Sequence, residues 1–386
     1  MRGGVRKRGK KWYYYYDVVI GDKRKRIERV GGNTKREAEE ALRKALDALE
    51  TGYIAPTKTT LSDYLNDWVE NFIKVMRKEN TYVLYKKMVS MYISPLIGSV
   101  QLKDLQPYHI DYMINELAKV NLSNTTRQLI YRVLHSALER AVKLRIIKEN
   151  PCRYVDGPKK DKFIANVLTE EEYYKILGLL DINTYNDYLF YLILQTELEL
   201  GLRKGELLGL EWRDIDFHEN LVIIRNNMVV IDGRIAVNTT KTEESMRTLY
   251  ISDELKELLK NHKKRQIENR LKYGEHYQKN IIDGIEYDFV FTQENGKHIH
   301  PIWLNKKLRN LIKQAGINKR IRFHDLRHTN ATFLLSQGVD LKTIQKRLGH
   351  ARIQTTFDFY SHVTMEMQKK ATDKIREILW WQNSGK

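Results

Sequence analysis

The sequence has almost no cysteine and no long apolar run. Cys152 is its one cysteine, so no intramolecular disulfide can form, which excludes a disulfide-stapled secreted scaffold and fits a reducing compartment. No segment is long and apolar enough to span a membrane, and no apolar run follows the basic N-terminus as a secretory signal requires. We therefore expect a cytoplasmic protein with no membrane partner.

Acidic residues are the minority among the charged side chains. The 386 residues include 67 Lys and Arg against 49 Asp and Glu, which gives a formal net charge of +18. The protein could be merely rich in lysine, but the excess is clustered, because residues 1–60 hold sixteen basic side chains against eight acidic ones. A clustered excess favours a polyanionic partner, and nucleic acid in particular. A chain of this length should contain two or three domains.

Residues 1–55 have the pattern of a small basic domain. Two runs of strand-forming residues flank a turn at Gly21 and Asp22, which is typical of a hairpin. Thr34 and Glu37 then have the spacing of a capping box, which opens a helix. The predicted elements are strands at 12–20 and 23–30 and a helix at 35–49.

The helix would cover one face of this sheet, and basic and aromatic residues would occupy the other face. A ribbon of two or three strands with such a face can enter the major groove of DNA. The tyrosines at 13–16 could instead form the core of a very small domain, which the flanking basic residues cannot do. The predicted contacts to DNA are Arg6, Lys7, Arg8, Lys10, Lys11, Lys23, Arg24, Lys25 and Arg26.

Residues 56–158, after a linker at 53–57, are predicted to form a compact helical domain. Apolar residues at 61–72 share one helical face, and Pro95 and Gly98 mark a later gap. Further helices are predicted at 80–92, 107–118 and 124–146, the last capped by Asn124. Any single basic residue on a polar helix face is ordinarily solvated charge. The predicted contacts to DNA here are Lys86, Lys87, Arg127 and Arg132.

Residues 159–386 follow a charged linker and have a mixed α and β pattern. A helix is expected to start at 169–172, and a strongly apolar helix at 188–199 should be buried. Asp232 and Gly233 predict a hairpin turn. The predicted strands lie at 221–225, 228–231, 247–251 and 287–292, and the remainder is mostly helical, including a C-terminal tail helix. The fold class is therefore a multidomain protein, mainly α with small β-sheets.

One stretch near the C-terminus combines arginine, histidine and tyrosine. It runs from His324 to Thr329, continues with Leu-Gly-His at 348–350 and ends with Phe-Tyr-Ser-His at 359–362. Arginine presents a planar fork of donors to phosphate oxygens, and histidine can donate to them or move a proton near neutral pH. An activated tyrosine hydroxyl can act as a covalent nucleophile. These groups could attack a phosphodiester and hold its charged transition state.

The third part of the chain resembles the catalytic domain of the tyrosine recombinases, especially phage and conjugative-transposon integrases. The resemblance covers about 200 residues and rests on five motifs in order. These are Gly-Leu-Arg-x-x-Glu-Leu at 201–207, Lys-Thr at 241–242, His-x-x-Arg-His at 324–328, Leu-Gly-His at 348–350 and Tyr-Ser-His at 360–362. By layout more than by motif, residues 1–55 and 56–158 resemble the arm-site-binding and core-site-binding domains of that family.

The resemblance implies a role for each catalytic position. Tyr360 would be the nucleophile, and Lys241 the general acid for the departing 5′ hydroxyl. The residues around the scissile phosphate would be Arg203, His324, Arg327 and His350. Two guanidiniums supply fixed donors where the transition state concentrates negative charge, so no metal or other cofactor is implied. A phosphotyrosine conserves the bond energy, and the strands can rejoin without ATP.

Simpler interpretations exist for several of these residues. Arg203 and Glu206 could form an ion pair on a helix surface. His324 and His328 have the spacing of zinc ligands on one helix face, although no third ligand is evident. Arg247 lies close enough in sequence to compete with Lys241. Leu200 stands where the family often has a small polar residue, which should change packing rather than phosphate contact.

The resemblance implies a site-specific DNA recombinase that integrates and excises a mobile element. A DNA-binding regulator without catalysis and a type IB-like topoisomerase are the alternatives. The implied partners are double-stranded DNA, at both core and arm sites, and further copies of the chain in a homo-tetramer on DNA. An excisionase and a host DNA-bending protein are further partners that the resemblance suggests, in the cytoplasm of a bacterial host.

Overall fold

The structure is a computed structural model that describes residues 3–20, 23–50, 59–159, 166–239, 246–349, 369 and 372–376. The side chains at 18–20, 23–25, 47–50 and 239 lie outside this description. The chain divides into two compact units, an N-terminal unit, Met1–Lys162, and a C-terminal unit, Phe163–Lys386. The described elements are mainly helices with small antiparallel sheets, which confirms the predicted fold class.

The N-terminal unit begins with a three-stranded antiparallel sheet and a helix. The strand order is β1-β2-β3. Glu37 N donates to Thr34 Oγ1 at 3.2 Å and Thr34 N donates to Glu37 Oε2 at 3.2 Å, which is the predicted capping box. The first strand was not predicted, because its glycines and basic residues lack strand-forming side chains. The elements are β1 (Gly3–Arg8), β2 (Lys11–Ile20), β3 (Lys23–Gly32) and α1 (Lys35–Glu50).

The tyrosine run is divided between the two faces of this sheet. Tyr16 is buried and stacks on Tyr14, with ring centroids 6.2 Å apart. On α1, Ala38 is fully buried, and a Cβ added at Gly31 would lie 2.6 Å from its Cβ, so glycine lets the helix approach the sheet. Tyr15 points the other way, because two arginine side chains lie over its ring. The tyrosines therefore serve both the core and the open face.

The rest of the N-terminal unit is helical. Pro95 does not mark a gap between helices as predicted. A π-helical turn precedes it, so that Pro95 lies in the first turn of the next short helix, where a missing N–H is tolerated. The cap of the last helix is Ser123, whose Oγ accepts from Thr126 N at 3.2 Å, and not the predicted Asn124. The helices are α2 (Leu61–Asp67), α3 (Lys74–Met76), α4 (Glu79–Met88), α5 (Ser94–Ile97), α6 (Pro107–Lys119) and α7 (Asn124–Lys143), with π-helical turns at Trp68–Ile73 and Val89–Ile93.

The predicted apolar face at 61–72 lies in the core of this helical part. Its buried members are Leu61, Tyr64, Leu65, Trp68 and Val69. The Tyr64 hydroxyl donates to the Ala137 carbonyl at 2.7 Å, so its polar end is satisfied inside the core.

The C-terminal unit is mixed, with helices around small sheets. Its helices are α8 (Glu170–Leu177), α9 (Tyr185–Leu200), α10 (Lys204–Leu208), α11 (Asp253–Tyr273), α12 (Pro301–Gln314), α13 (Asp325–Ser336) and α14 (Leu341–Leu348). Its strands are β4 (Ile215–Asp216), β5 (Leu221–Ile224), β6 (Asn226–Ile231), β7 (Arg234–Thr239), β8 (Arg247–Tyr250), β9 (Asn280–Ile282) and β10 (Ile285–Tyr287). A three-stranded sheet has the order β4-β5-β8, and β6-β7 and β9-β10 are hairpins. In the tail, residues 372–376 are helical.

Two strand predictions in this unit had different outcomes. Asp232 and Gly233 form the predicted turn between β6 and β7, with φ of 48° and 83°, as the primed hairpin turns require. The predicted strand at 287–292 is wrong beyond Tyr287. Phe289 and Thr292 form only isolated bridges, to Glu211 and His298. The apolar pattern reflects burial here, because no single strand in the described ranges pairs along this stretch.

The buried core of the C-terminal unit surrounds α9, which is apolar on nearly every side. Its buried residues include Leu189, Phe190, Leu192, Ile193 and Leu194. Packing against α13 and α11 fixes the C-terminal end of this helix, where the candidate site begins. Among the described residues, no helix combines the length and apolarity needed to cross a membrane.

Candidate active site

Three helices of the C-terminal unit meet at Gly201. This residue ends α9 in the left-handed region, with φ of 60°, which suits glycine. A Cβ added there would lie 2.6 Å from Leu348 Cδ2 on α14 and 2.7 Å from Asn330 Oδ1 on α13. The close approach brings three segments that are far apart in sequence to one point, and the arginines of the predicted site lie there.

Arg327, on the first turns of α13, is held by backbone carbonyls. Its side chain is only 1% exposed. Nη1 donates to the Gly201 carbonyl at 2.7 Å, and Nη2 donates to the Leu348 carbonyl. Burial, and next the nearby charge of Arg203, lower the pKa of Arg327 to about 9, so the guanidinium still carries its charge at neutral pH. Neutral acceptors therefore fix its orientation without cancelling that charge.

Arg203 lies immediately before α10 and is partly exposed. Its Nη2 donates to the Gly349 carbonyl at 2.8 Å, one residue after the carbonyl that Arg327 uses. Its Nη1 donates to Glu206 Oε1 at 2.6 Å. The carboxylate is 3% exposed, so the pair is not the helix-surface ion pair considered above. The two predicted arginines are thus neighbours, each tied to the end of α14.

Arg247 on β8 completes the arginine cluster, which we define as Arg203, Arg247 and Arg327 with Glu197 and Glu206. Its Nη2 donates to Glu206 Oε2 at 2.8 Å, and its Nε donates to the Arg347 carbonyl at 2.7 Å. Sequence reasoning considered it only as a rival to Lys241, a proton donor, and missed this structural role. The alternation along β8, where positions 247 and 249 are buried, was the signal that could have placed it inside.

Glu206 is the ionised carboxylate of the cluster. Burial alone would raise its pKa, but the hydrogen bond and charge of Arg247, and then the charge of Arg203, lower the pKa to about 2. The second acid, Glu197 on α9, is fully buried, and neither of its oxygens has a hydrogen-bond partner among the described residues. Burial raises the pKa of Glu197 well above its usual range, against the opposing charge of Arg327. The cluster thus has three guanidiniums against at most two carboxylate charges, and burial opposes the second of these.

His324 and His328 lie side by side at the start of α13. Their rings are edge-on, with centroids 5.2 Å apart. The His324 side chain is exposed at a concave part of the surface. The protein atoms around it reduce its hydration, which lowers its pKa, and the charge of Arg327 lowers the pKa further. Burial, and next His324, lower the pKa of His328 to about 4. Both imidazoles are therefore neutral near pH 7, and His324 can donate or accept a hydrogen bond without adding charge.

The described residues offer no third ligand for a zinc ion beside these histidines. Asp325 is the nearest candidate, but it accepts from Arg322 Nη2 at 2.8 Å and from Arg322 Nε at 3.1 Å. No group of three or more His, Cys, Asp or Glu side chains is placed to hold a metal ion in the part of the chain that the structure describes.

Three of the six predicted catalytic residues are placed by the structure, and it brings Arg203, His324 and Arg327 together. The three lie close enough to interact electrostatically, because the charges of both arginines lower the pKa of His324. The other three predicted residues lie outside the described residues: Lys241, His350 and Tyr360.

The predicted DNA contacts on the N-terminal sheet differ in how free they are. Arg6 Nε donates to Glu28 Oε1 at 2.6 Å, and Arg26 Nε donates to Asp17 Oδ1 at 2.9 Å. Both arginines therefore have carboxylate partners on the same sheet. Three exposed lysines have no acidic partner among the described residues: Lys7, Lys10 and Lys11. The side chains of Lys23, Arg24 and Lys25 lie outside the description, and Arg8 is 3.6 Å from the Glu28 carboxylate.

The predicted contacts on the helices of the N-terminal unit also vary. Lys86 Nζ donates to Glu70 Oε1 at 2.8 Å, and that hydrogen bond raises the pKa of Lys86. Arg127 donates to Asn124 Oδ1. Lys87 and Arg132 are exposed and have no acidic partner in the described ranges. These residues remain predictions as contacts to DNA.

The sequence matches known families along most of its length. Residues 166–367 match the family described as Phage integrase family. Residues 60–118 match the description Phage integrase, N-terminal SAM-like domain, and residues 5–49 match the description Arm DNA-binding domain. The chain is 32% identical to a tyrosine recombinase XerC-like protein of Caldanaerobacter subterraneus, over 96% of this chain and 97% of that protein. It is 28% identical to the ICEBs1 integrase of Bacillus subtilis, over 78% of this chain and 79% of that protein.

Solved structures of integrases on DNA are similar in fold. The Tn1549 transposon integrase in complex with transposon right end DNA superposes with a TM-score of 0.69, at 20% identity, over 82% of this chain and 99% of that chain. A lambda integrase dimer bound to a COC′ core site gives a TM-score of 0.58, at 19% identity, over 92% of this chain and 94% of that chain. At these identities the likeness shows the fold alone.

Proposed function

Because the chain belongs to the phage integrase family, and is therefore a tyrosine-type site-specific recombinase, we propose that it integrates and excises a mobile DNA element through a 3′-phosphotyrosine at Tyr360. The observation that carries the proposal is the arginine cluster. Arg203 and Arg327 bond to successive carbonyls, at Gly349 and Leu348, and the cluster keeps an excess of positive charge. An excess of fixed donors is what a phosphorane-like transition state requires.

The two arginines keep donors free for a phosphate. A guanidinium has five N–H groups, and Arg327 uses one from each Nη on carbonyls. In the proposed complex its remaining N–H groups bind non-bridging oxygens together with those of the partly exposed Arg203. Because these donors are fixed before DNA arrives, no reorganisation is needed when charge develops.

In the proposed reaction the Tyr360 hydroxyl gives up its proton to water as its oxygen bonds to phosphorus, and the bond between phosphorus and the 5′ oxygen breaks. Lys241 donates the proton that the leaving 5′ oxygen needs, as the family resemblance implies. His324, a neutral imidazole, donates a hydrogen bond to the phosphate, and His350 is assigned there with it. The reverse attack by a 5′ hydroxyl restores the tyrosine and joins the new strands.

The test is the covalent adduct on DNA that contains the element's attachment site. Tyr360→Phe should abolish the 3′-phosphotyrosyl adduct and leave DNA affinity nearly unchanged, because one hydroxyl adds little to a large phosphate interface. Tyr250→Phe, at an exposed tyrosine of β8, is the matched control and should form the adduct at full strength. The wild-type adduct should also form in EDTA.

Three outcomes would contradict parts of the proposal. An undiminished adduct in Tyr360→Phe refutes the nucleophile. Specific DNA binding without any adduct by the wild type favours a DNA-binding regulator. Relaxation of supercoiled DNA without transfer between two sites favours a type IB-like topoisomerase.

We further propose that three parts of the chain divide the DNA between them: residues 1–55 bind arm sites, residues 56–158 bind core sites, and residues 159–386 cut. Support comes from the matched Arm DNA-binding description over 5–49 and from the exposed unpaired lysines of the sheet. A homo-tetramer on DNA, an excisionase and a host DNA-bending protein belong to the same proposal. A chain beginning at Thr57 should still cut a core site but lose arm-site binding. Loss of core cleavage at saturating protein would refute this division.

A further inference from the structure

A basic pocket lies beside the arginine cluster in the C-terminal unit. Its volume is about 620 Å³, and no carboxylate is among the described residues that line it. It lies between the start of α10, the side of α12 and the loop before α13. We call it the Lys204 pocket, and its titratable lining residues are Lys204, Arg309, Lys319, Arg320, Arg322 and His324.

Two of these cations are already neutralised by acids outside the pocket. Lys319 Nζ donates to Glu172 Oε2 at 2.7 Å, and Arg322 is bound to Asp325 as described above. The other three basic side chains have no carboxylate partner within ion-pair distance among the described residues: Lys204, Arg309 and Arg320. The pocket therefore has an excess of positive charge that the described part of the protein does not balance.

Lys204 is the cation that is hardest to explain without a ligand. It is partly buried, and burial lowers its pKa. Lysine is seldom removed from water without a paired charge, because desolvation of the ammonium costs free energy. A cation held in this way is stabilised when an anion enters the pocket. Arg309 and Arg320, both exposed, can reach the same anion from the rim.

The pocket adjoins the residues that are proposed to hold the scissile phosphate. Lys204 follows Arg203 directly in sequence, and His324 lines the pocket while Arg327 lies one turn further along α13. Duplex DNA carries one phosphate per about 3.4 Å of axis on each strand. A strand with one phosphate at Arg203 must therefore place another close by, and this basic surface is where it can lie.

We propose that the Lys204 pocket binds a second phosphate of the strand that is cut, and that Lys204 is a positioning residue that sets where the scissile phosphate lies. The inference rests on the proposed function, because it needs DNA at Arg203. The ligand is a phosphodiester of duplex DNA, recognised through its charge without regard to base sequence.

The salt dependence of binding measures this contact directly. The plot of log K against log salt for attachment-site DNA has a negative slope. Its magnitude should be smaller by about 0.9 in Lys204→Gln, because one fewer counterion is released. Arg320→Gln should give a similar decrease and keeps the test open if Lys204→Gln is poorly folded. Lys260→Gln is the matched control: its lysine is paired with Glu257 at 2.8 Å and does not line the pocket, so the slope should not change.

A positioning role predicts more than weaker binding. At saturating DNA, the single-turnover rate of adduct formation should fall in Lys204→Gln and recover in Lys204→Arg, which restores the charge. The Tm of Lys204→Gln should not fall, because the substitution removes an unpaired, partly buried charge. A lysine that serves only the protein's own stability would give the opposite pattern, with a lower Tm and an unchanged slope.

The outcomes separate this inference from the proposed function. If the wild type forms the adduct at Tyr360 but the slope is unchanged in both Lys204→Gln and Arg320→Gln, the pocket does not bind a phosphate and only this inference fails. If the wild type forms no adduct, the proposed function fails, whatever the slopes are. A smaller slope in both variants, together with slower cleavage in Lys204→Gln, supports the inference.

Discussion

The arginines of the N-terminal sheet and Arg327 of the arginine cluster are held in opposite ways. Arg6 and Arg26 lie 44% and 60% exposed, each against a carboxylate of the same sheet, Glu28 or Asp17. Arg327 is 1% exposed and is bound by two backbone carbonyls. An arginine side chain is thus held by a charged carboxylate on the sheet and by neutral carbonyl dipoles at position 327.

The anchor decides what charge is left for a ligand. A carboxylate cancels the guanidinium that it holds, so each exposed pair on the sheet is neutral, and such pairs add little stability in water. A carbonyl orients the guanidinium and leaves its charge intact. Arg327 therefore presents oriented positive charge, whereas the sheet must rely on lysines that have no acidic partner among the described residues, such as Lys7 and Lys10. Four substitutions test this comparison.

The largest effect is expected from Arg327→Lys. The ammonium keeps the charge but cannot span two carbonyls and a phosphate with one planar fork. We expect adduct formation at saturating DNA to slow by roughly 100- to 1,000-fold, the usual cost of losing a fixed donor at a developing anion. Single-turnover cleavage measures this. Arg26→Lys on the sheet is the control and should cut at the wild-type rate; equal rates in both variants would show that charge alone suffices at position 327.

Glu206→Gln should be next, and its effect is on stability. The substitution leaves Arg203 and Arg247 without their buried carboxylate, which should lower the free energy of unfolding by about 3 kcal/mol at pH 7. The pKa of Glu206, about 2, lies below its usual value of 4.5. Its contribution is therefore complete above pH 4.5 and is lost as the pH falls towards 2.

Denaturant titrations of the wild type and Glu206→Gln at several pH values test both statements. The difference between the two proteins should shrink as the pH is lowered from 7 to 3. A difference that stays constant over this range would mean that the carboxylate is not ionised in the folded protein.

Glu197→Gln should have a smaller effect, of the opposite sign. The pKa of Glu197 is higher in the folded protein than in the unfolded chain. Such a group contributes its full stabilisation at pH values below its unfolded pKa, and this contribution is lost as the pH rises. Glutamine has the same shape and no proton to lose, so the variant should be at least as stable as the wild type at pH 8, with a gap that widens between pH 5 and pH 8. Destabilisation at pH 8 comparable to that of Glu206→Gln would show that Glu197 is an ionised anchor.

The smallest effect on stability is expected from Glu28→Gln. Its carboxylate pairs with Arg6 in the open, so the Tm should barely change. Removal of the acid frees the guanidinium, and arm-site DNA should bind more tightly, with a steeper dependence on salt. Glu39→Gln is the control, because Glu39 pairs with Lys35 along the exposed side of α1. Equal affinities of the two variants would show that this sheet face does not contact DNA.

The sequence was sufficient wherever the determining interactions are local. The capping box at Thr34, the helix start at 169–172 and the turn at Asp232 each depend on contacts within a few residues, and each predicted helix or hairpin is present. Arg203 and Arg327 were identified because their motifs resemble a family. The tie between them, through the carbonyls of the α14 end, was not visible in either motif.

The features that sequence reasoning missed depend on distant contacts. The helix that contains Glu197 was predicted to be buried, but only the packing around α9 shows that this carboxyl lies beside Arg327 and Glu206. Arg247 is 41 residues from the acid that it binds. The strand predicted at 287–292 failed for the same reason, since burial without a continuous partner strand has the same apolar pattern as a strand.

The separation along the chain between Arg203 and its anchor has a consequence for how the protein is made. The carbonyl that Arg203 bonds belongs to Gly349, 146 residues later. At about 5–20 residues per second, a ribosome needs roughly 7 to 30 s to make that stretch. Until Leu348 and Gly349 are made, the nascent chain has neither of the α14-end carbonyls that anchor the two guanidiniums. The anchors of Arg203 and Arg327 are therefore completed only late in the synthesis of this stretch, long after Arg203 itself has been made.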